Sequence, residues 1–141
     1  MKVSVIGILA GGFVDVVSSF LAGIPFTLYV RSRLEPSQRV GPHAAAAVSA
    51  ATHASMPLYV TSLLIGLVCS ALGGFVAASI AERHERLNGA LSCWLCVTLG
   101  VAVMASGLAK DPLWQQMLLI LASPVCAFLG GDLRRRQRLG V

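Results

Sequence analysis

An all-α membrane protein is predicted by three observations: long apolar blocks, scarce charge, and small residues at helical spacing. The 141-residue chain is 56% apolar and only 12% charged, with a mean hydropathy of +0.78. Soluble domains usually carry about 25% charged residues. Each apolar block approaches the roughly 20 residues that a membrane-crossing helix needs. Backbone groups find no partners in hydrocarbon, so such blocks are expected to be helical. The expected architecture is four transmembrane helices in an antiparallel bundle, with a short interfacial helix in the first loop. The spans fall at about 3–30, 57–81, 89–109 and 113–131 and fill the chain, so 1–141 reads as one transmembrane domain.

The first span holds a single charge, Asp15, near its midpoint. A carboxylate at mid-membrane costs about 2.5 to 3.5 kcal/mol even on lenient insertion scales, so it is expected to face protein or water. Gly7, Gly11, Ser19 and Gly23 flank it at four-residue spacing. Such small residues let a second helix come close, and only neighbouring members of a row spaced by four share a face. Lys2 and the stretch Leu21-Ala22-Gly23, with its small residues, raise the alternative of a signal peptide. The interruption at Asp15 and the length of the run favour a retained helix. Pro25 is expected to kink or shorten it.

Residues 31–42, RSRLEPSQRVGP, read as loop. The alanine-rich stretch 43–55 follows, with Pro42 suited to a first helical turn. It is too short to span alone and is expected to lie at the interface. The second span carries two small rows, Gly66, Ser70, Gly74 and Ala78, with Gly73, Ala77 and Ala81 beside them. This is the chain's strongest helix-packing pattern. Residues 82–88, ERHERLN, form a charged turn in which Glu82 and Arg86 have pairing distance on a continuing helix. The third span contains Cys96 and Gly100 as a small pair. Lys110-Asp111-Pro112 reads as a tight turn, with Pro112 at a helix start. In the fourth span Pro124 is expected to kink the helix, and Gly130-Gly131 to weaken its end.

Four crossings place Lys2, Arg83, Arg86, Arg134, Arg135, Arg136 and Arg138 on one side and Arg31, Arg33, Arg39 and Lys110 on the other. The positive-inside bias then puts both termini in the cytoplasm. Tyr29, Tyr59 and Trp114 mark the outer interface and Trp94 the inner one. The net charge of +5 comes mostly from the tail arginines, which read as a contact for anionic lipid. No aromatic platform accompanies them, so nucleic acid is not an expected partner. A C-x-x-L-G-G run occurs twice, Cys69 to Gly74 and Cys126 to Gly131. A parallel repeat of two helical hairpins would fit it, as would chance.

Two meanings are open for Asp15: a proton or cation site, or a polar clamp bonding a serine on another helix. Cys93-x-x-Cys96 has redox or metal spacing, but it lies in an apolar helix and lacks two further ligands. His43 and His53, ten positions apart, do not share a helix face. Ser18, Ser19, Ser70 and Ser123 have no evident base and carboxylate. No phosphate loop follows Gly11-Gly12 or Gly73-Gly74. The chain is therefore expected not to be an enzyme, and no cofactor or metal is expected.

Residues 73–81, GGFVAASIA, with the charged turn Glu82 to Arg86 and then Asn88-Gly89, resemble small uncharacterised bacterial four-helix membrane proteins. That resemblance implies the bacterial inner membrane and no particular activity. In layout, the chain is also similar to small multidrug-resistance exporters, which have four helices and an acid in the first. Theirs is a Glu followed by Val and later a Thr; here Asp15-Val16 precedes Ser18-Ser19. The loop after the first span is longer here, and the aromatic pattern of their third helix is missing. Two functions are expected from these features. One is a structural or accessory protein that self-associates or joins a membrane complex. The other is a small proton-coupled transporter or ion pathway using Asp15.

Overall fold

The computed structural model describes residues 3–81, 84–106 and 113–140. Lys2, Glu82, Arg83, the Lys110-Asp111-Pro112 turn and the end of the third expected span lie outside the described residues. Everything regular within them is helical. Helix α1 is Val5–Arg33, α2 is Ala44–Ala54, α3 is Met56–Ile80, α4 is Glu85–Ser92, α5 is Trp94–Ala105 and α6 is Leu113–Leu139. A 3-10 turn, Pro36–Gln38, sits in the loop after α1. Among the described residues three stretches are long and apolar enough to cross a membrane: α1, α3 and Gln116–Leu139 of α6.

Helix α1 starts where the Ser4 hydroxyl accepts from the Gly7 amide at 3.1 Å, satisfying one of the orphan donors of a first turn. Arg31 and Arg33 close its last turn, where cations suit the helix dipole. Pro25 lies inside the helix without ending it. The same holds for Pro124 in α6, which runs on through Gly130 and Gly131 to Leu139. The expectation of a weak end there gives way to packing, because both glycines are pressed against neighbouring backbone. Helix α2 exists but begins at Ala44, after Pro42 rather than around it.

The third expected span is two helices rather than one. The chain breaks at Cys93, and the hydrogen-bond ladder resumes from the Cys93 carbonyl to the Val97 amide. Side chains compete for carbonyls just ahead of the break: Ser92 Oγ donates to Gly89 O and Cys93 Sγ to Ala90 O. The first piece starts at Glu85, earlier than expected.

The interior is built from small residues. Ala77 and Ala127 are fully buried, while Ile6, Phe13, Phe20 and Leu121 point outward with two-thirds or more of their surface open. A water-soluble protein would reverse this distribution. Helices surrounded by lipid associate by close packing of small residues, and here they do so.

Helix α1 runs antiparallel to α3: Gly7 lies opposite Ala77 and Gly11 opposite Gly73. Helix α6 runs parallel to α3. The Tyr59 and Trp114 rings meet at one end, 6.0 Å apart, and the Arg134 guanidinium lies over Phe75 towards the other. Helix α4 fills the angle at that second end. The Ser4 amide donates to Asn88 Oδ1 at 2.9 Å, and Arg86 donates to Asp132 Oδ1 at 2.6 Å. The start of α1 and the last turns of α6 therefore share one end of the molecule, and α4 and α5 carry the chain back towards the other.

Candidate functional site

Asp15 reaches α3 because Gly73 has no side chain. A Cβ on Gly73 would sit 2.7 Å from Asp15 Cβ and 2.7 Å from Gly11 O. That approach leaves the carboxylate 1% exposed. Ser70, one turn earlier on α3, donates to it, with Oγ 3.3 Å from each carboxylate oxygen. The Cys96 thiol of α5 interacts with the same group. Among the described residues no basic side chain pairs with it.

The carboxylate borders a cavity of about 260 Å³ between α1, α3, α5 and α6. Ser19, Ser70, Cys96, Gln116 and Ser123 supply further polar lining, and Val97, Leu119 and Ile120 the apolar part. A buried carboxylate with hydrogen-bond donors and no fixed cation can take up a proton or a small cation.

The residues singled out from the sequence divide into seam and cavity. Gly7, Gly11 and Gly74 stand at backbone contacts. A Cβ on Gly7 would meet Ala77 O at 2.9 Å, one on Gly11 would meet Gly73 O at 2.5 Å, and one on Gly74 would run into the Ala127 carbonyl. Ala78 is buried in α3. Ser19, Gly66 and Ser70 line the cavity instead, and nothing lies within 4 Å of where a Gly66 Cβ would stand. Gly23 also faces open space. The two rows of α3 serve different neighbours: Gly73 and Ala77 meet α1, and Gly74 meets α6. The two C-x-x-L-G-G runs lie against each other, Gly74 on Ala127 and Gly130 on Ala71.

A second polar cluster joins α4 to α6. Asp132 is 7% exposed and accepts from Arg86 and, at 3.0 Å, from Arg136; Arg138 pairs with Glu85 at 3.1 Å. Arg86 pairs with Asp132 of α6, and the Glu82 to which its spacing also pointed lies outside the described residues. Two of the tail arginines, Arg136 and Arg138, thus hold intramolecular pairs, while Arg135 stands exposed. Sequence reading passed over Asp132, although an acid four residues before Arg136 is a helical pairing pattern. It also passed over buried Asn88 as a joint, and over Gln116 and Cys96 as neighbours of Asp15. The return of the chain through α4 and α5 brings Asn88 and Cys96 to α1, and α6 brings Gln116 to the cavity.

His53 is half-buried, its Nδ1 2.7 Å from Ser49 O and its ring 5.7 Å from that of Tyr59. All four cysteines are free thiols, and among the described residues no cluster of His, Cys, Asp or Glu forms a metal site.

No protein-family model matches the chain, and neither does a curated protein or a solved structure.

Proposed function

We propose that the chain is an integral protein of a bacterial inner membrane that crosses four times. In this reading it works as a small proton-coupled transporter or ion pathway centred on Asp15. The observation that carries the proposal is the placement of Asp15: a carboxylate 1% exposed, without a cationic partner among the described residues, on the wall of a mainly apolar cavity that also holds Ser19, Ser70, Gln116 and Ser123. Ionisable groups at membrane depth face such cavities and mark proton or ion routes. Four crossings are supported by chain direction, since α3 and α6 run the same way and the segment between them must return. The test is reconstitution of the full chain in liposomes under an imposed pH gradient. Proton movement abolished by Asp15→Asn, in a variant that still purifies as a folded species, is the expected result. Unchanged proton movement in that variant removes Asp15 from the mechanism.

A structural or accessory role, as a homo-oligomer or as a subunit of a larger complex, is the second reading. The Asp15–Ser70 bond favours it, because it ties α1 to α3 inside a glycine-packed seam. It predicts that Asp15→Asn, which can still bond Ser70, leaves function intact, whereas Gly74→Leu disrupts assembly. Co-purification from native membrane separates self-association from membership of a complex. In either reading anionic lipid contacts the basic tail, Arg134, Arg135, Arg136 and Arg138, where Arg135 has no intramolecular role in the packing described above.

A further inference from the structure

A second cavity, of about 470 Å³, lies between the basic end of α1, α2 and the start of α3. We propose that it binds a phosphate-type anionic group, carried by a lipid headgroup or free in solution, with Arg31 as the recognising side chain. The proposal does not depend on the role given to Asp15.

Its polar lining is Thr27, Arg31, Ser49, Thr52, His53 and Ser62, and among the described residues no acid lines it. Arg31 is permanently charged. Its Nε donates to Arg39 O at 2.5 Å. Arg39 is itself fixed, donating from Nε to Leu34 O at 2.7 Å and from Nη2 to Ser32 O at 2.9 Å. The loop therefore orients the Arg31 guanidinium through one of its donors and leaves the Nη pair for a ligand. A planar guanidinium held in this way suits the paired oxygens of a phosphate. Thr27 stands one helical turn before Arg31, on the same side of α1. The hydroxyls of Thr52 and Ser62 donate to Val48 O and Tyr59 O. They supply polar walls, and the charge comes from Arg31.

Size and position narrow the ligand. The volume falls in the range of small-molecule sites, about 300 to 1,000 Å³, and an inorganic phosphate alone would leave most of it empty. The cavity adjoins the end of an apolar helix, where its last turn carries Arg31 and Arg33. Headgroups are expected at that level.

The experiment is native mass spectrometry of the full chain in detergent, titrated with phosphatidylglycerol, phosphatidylcholine and, separately, inorganic phosphate and glycerol phosphate. The parent chain is expected to retain phosphatidylglycerol over phosphatidylcholine. Arg31→Gln should weaken that retention about tenfold, the scale of one lost charge-assisted contact. Arg31→Lys should weaken it less, and Arg33→Gln, at the same helix end but outside the cavity lining, should leave it within about twofold. Ala45→Phe fills the cavity without removing charge and should also abolish retention, which keeps the test decisive if Arg31→Gln does not fold. Displacement of the lipid by soluble phosphates identifies the anionic group itself as the ligand; retention in their presence identifies the whole headgroup. Absence of selective retention by the parent, equal losses in Arg31→Gln and Arg33→Gln, or full retention in Ala45→Phe would each overturn the proposal.

Discussion

Gly66 and Gly74 belong to one row of α3, yet an added methyl group meets open space at the first and the Ala127 carbonyl at the second. Overpacking a close contact costs about 1 to 3 kcal/mol. Gly74→Ala and Gly130→Ala are therefore expected to lower stability by about that amount in thermal unfolding of the detergent-solubilised chain. Gly66→Ala and Gly23→Ala should stay within about 0.5 kcal/mol of the parent, since they intrude on nothing and remove a flexible residue from a helix. Equal effects at Gly66 and Gly74 would contradict the seam described here. The rows themselves were legible, because spacing by three and four is a property of the chain alone. Which members touch was not: a row spaced by four turns away from its partner after two or three residues, and the partner's angle decides where contact stops. Asp15 shows the same division. Its need for shelter followed from charge and depth, whereas Ser70 and Cys96 became its neighbours through packing.

At the scale of elements, α4 is the part least visible in the sequence, yet it packs on three other helices, α1, α3 and α6. It is short and half polar, so it reads as a turn and the start of a span. In the fold, Asn88 is fully buried, its Oδ1 accepting the Ser4 amide and its Nδ2 donating to His84 O. One side chain thereby holds α4 on the start of α1. Asn88→Ala leaves that amide without its acceptor and should cost about 1 to 3 kcal/mol, the usual penalty for a stranded buried group. Hydrogen exchange at the Ser4 amide should quicken in the variant, and unchanged protection there would count against the joint. On its other side α4 meets α6 through Arg86 and Asp132. Asp132→Asn removes the charge that gathers Arg86 and Arg136, so a cysteine cross-link between α4 and α6 should form less efficiently in that variant. The long helices α1, α3 and α6 were legible because hydrophobic length is enough to define them. The break at Cys93 was not, since it falls where the chain packs on α1, with Ser92 and Leu95 pressed beside Gly12.

At the scale of the whole molecule, the outward-facing large side chains and the inward-facing small ones fit a lipid solvent, and chain direction constrains the number of passes. Ser4 and Asp132 both bond to α4, at the end of the molecule where α3 finishes, whereas Tyr59 and Trp114 meet at the opposite end. An odd number of crossings would separate the start of α1 from the last turns of α6 by the thickness of the bilayer. Three of the passes come from helices with the required length and apolarity. In the four-crossing reading proposed above, the remaining pass falls to the stretch between α3 and α6 that holds α4 and α5, and the half-polar α4 is covered by α1, α3 and α6. Irregular backbone at membrane depth is tolerated where protein covers it. Reporter fusions at the two termini are accordingly expected to give the same answer. An alkaline phosphatase moiety should be inactive and a green fluorescent moiety bright at both ends, with the basic tail setting the cytoplasmic side. Opposite answers from the two ends would require α4 and α5 to leave and re-enter on one face, and the contacts of Ser4 and Asp132 with α4 would then have no common origin.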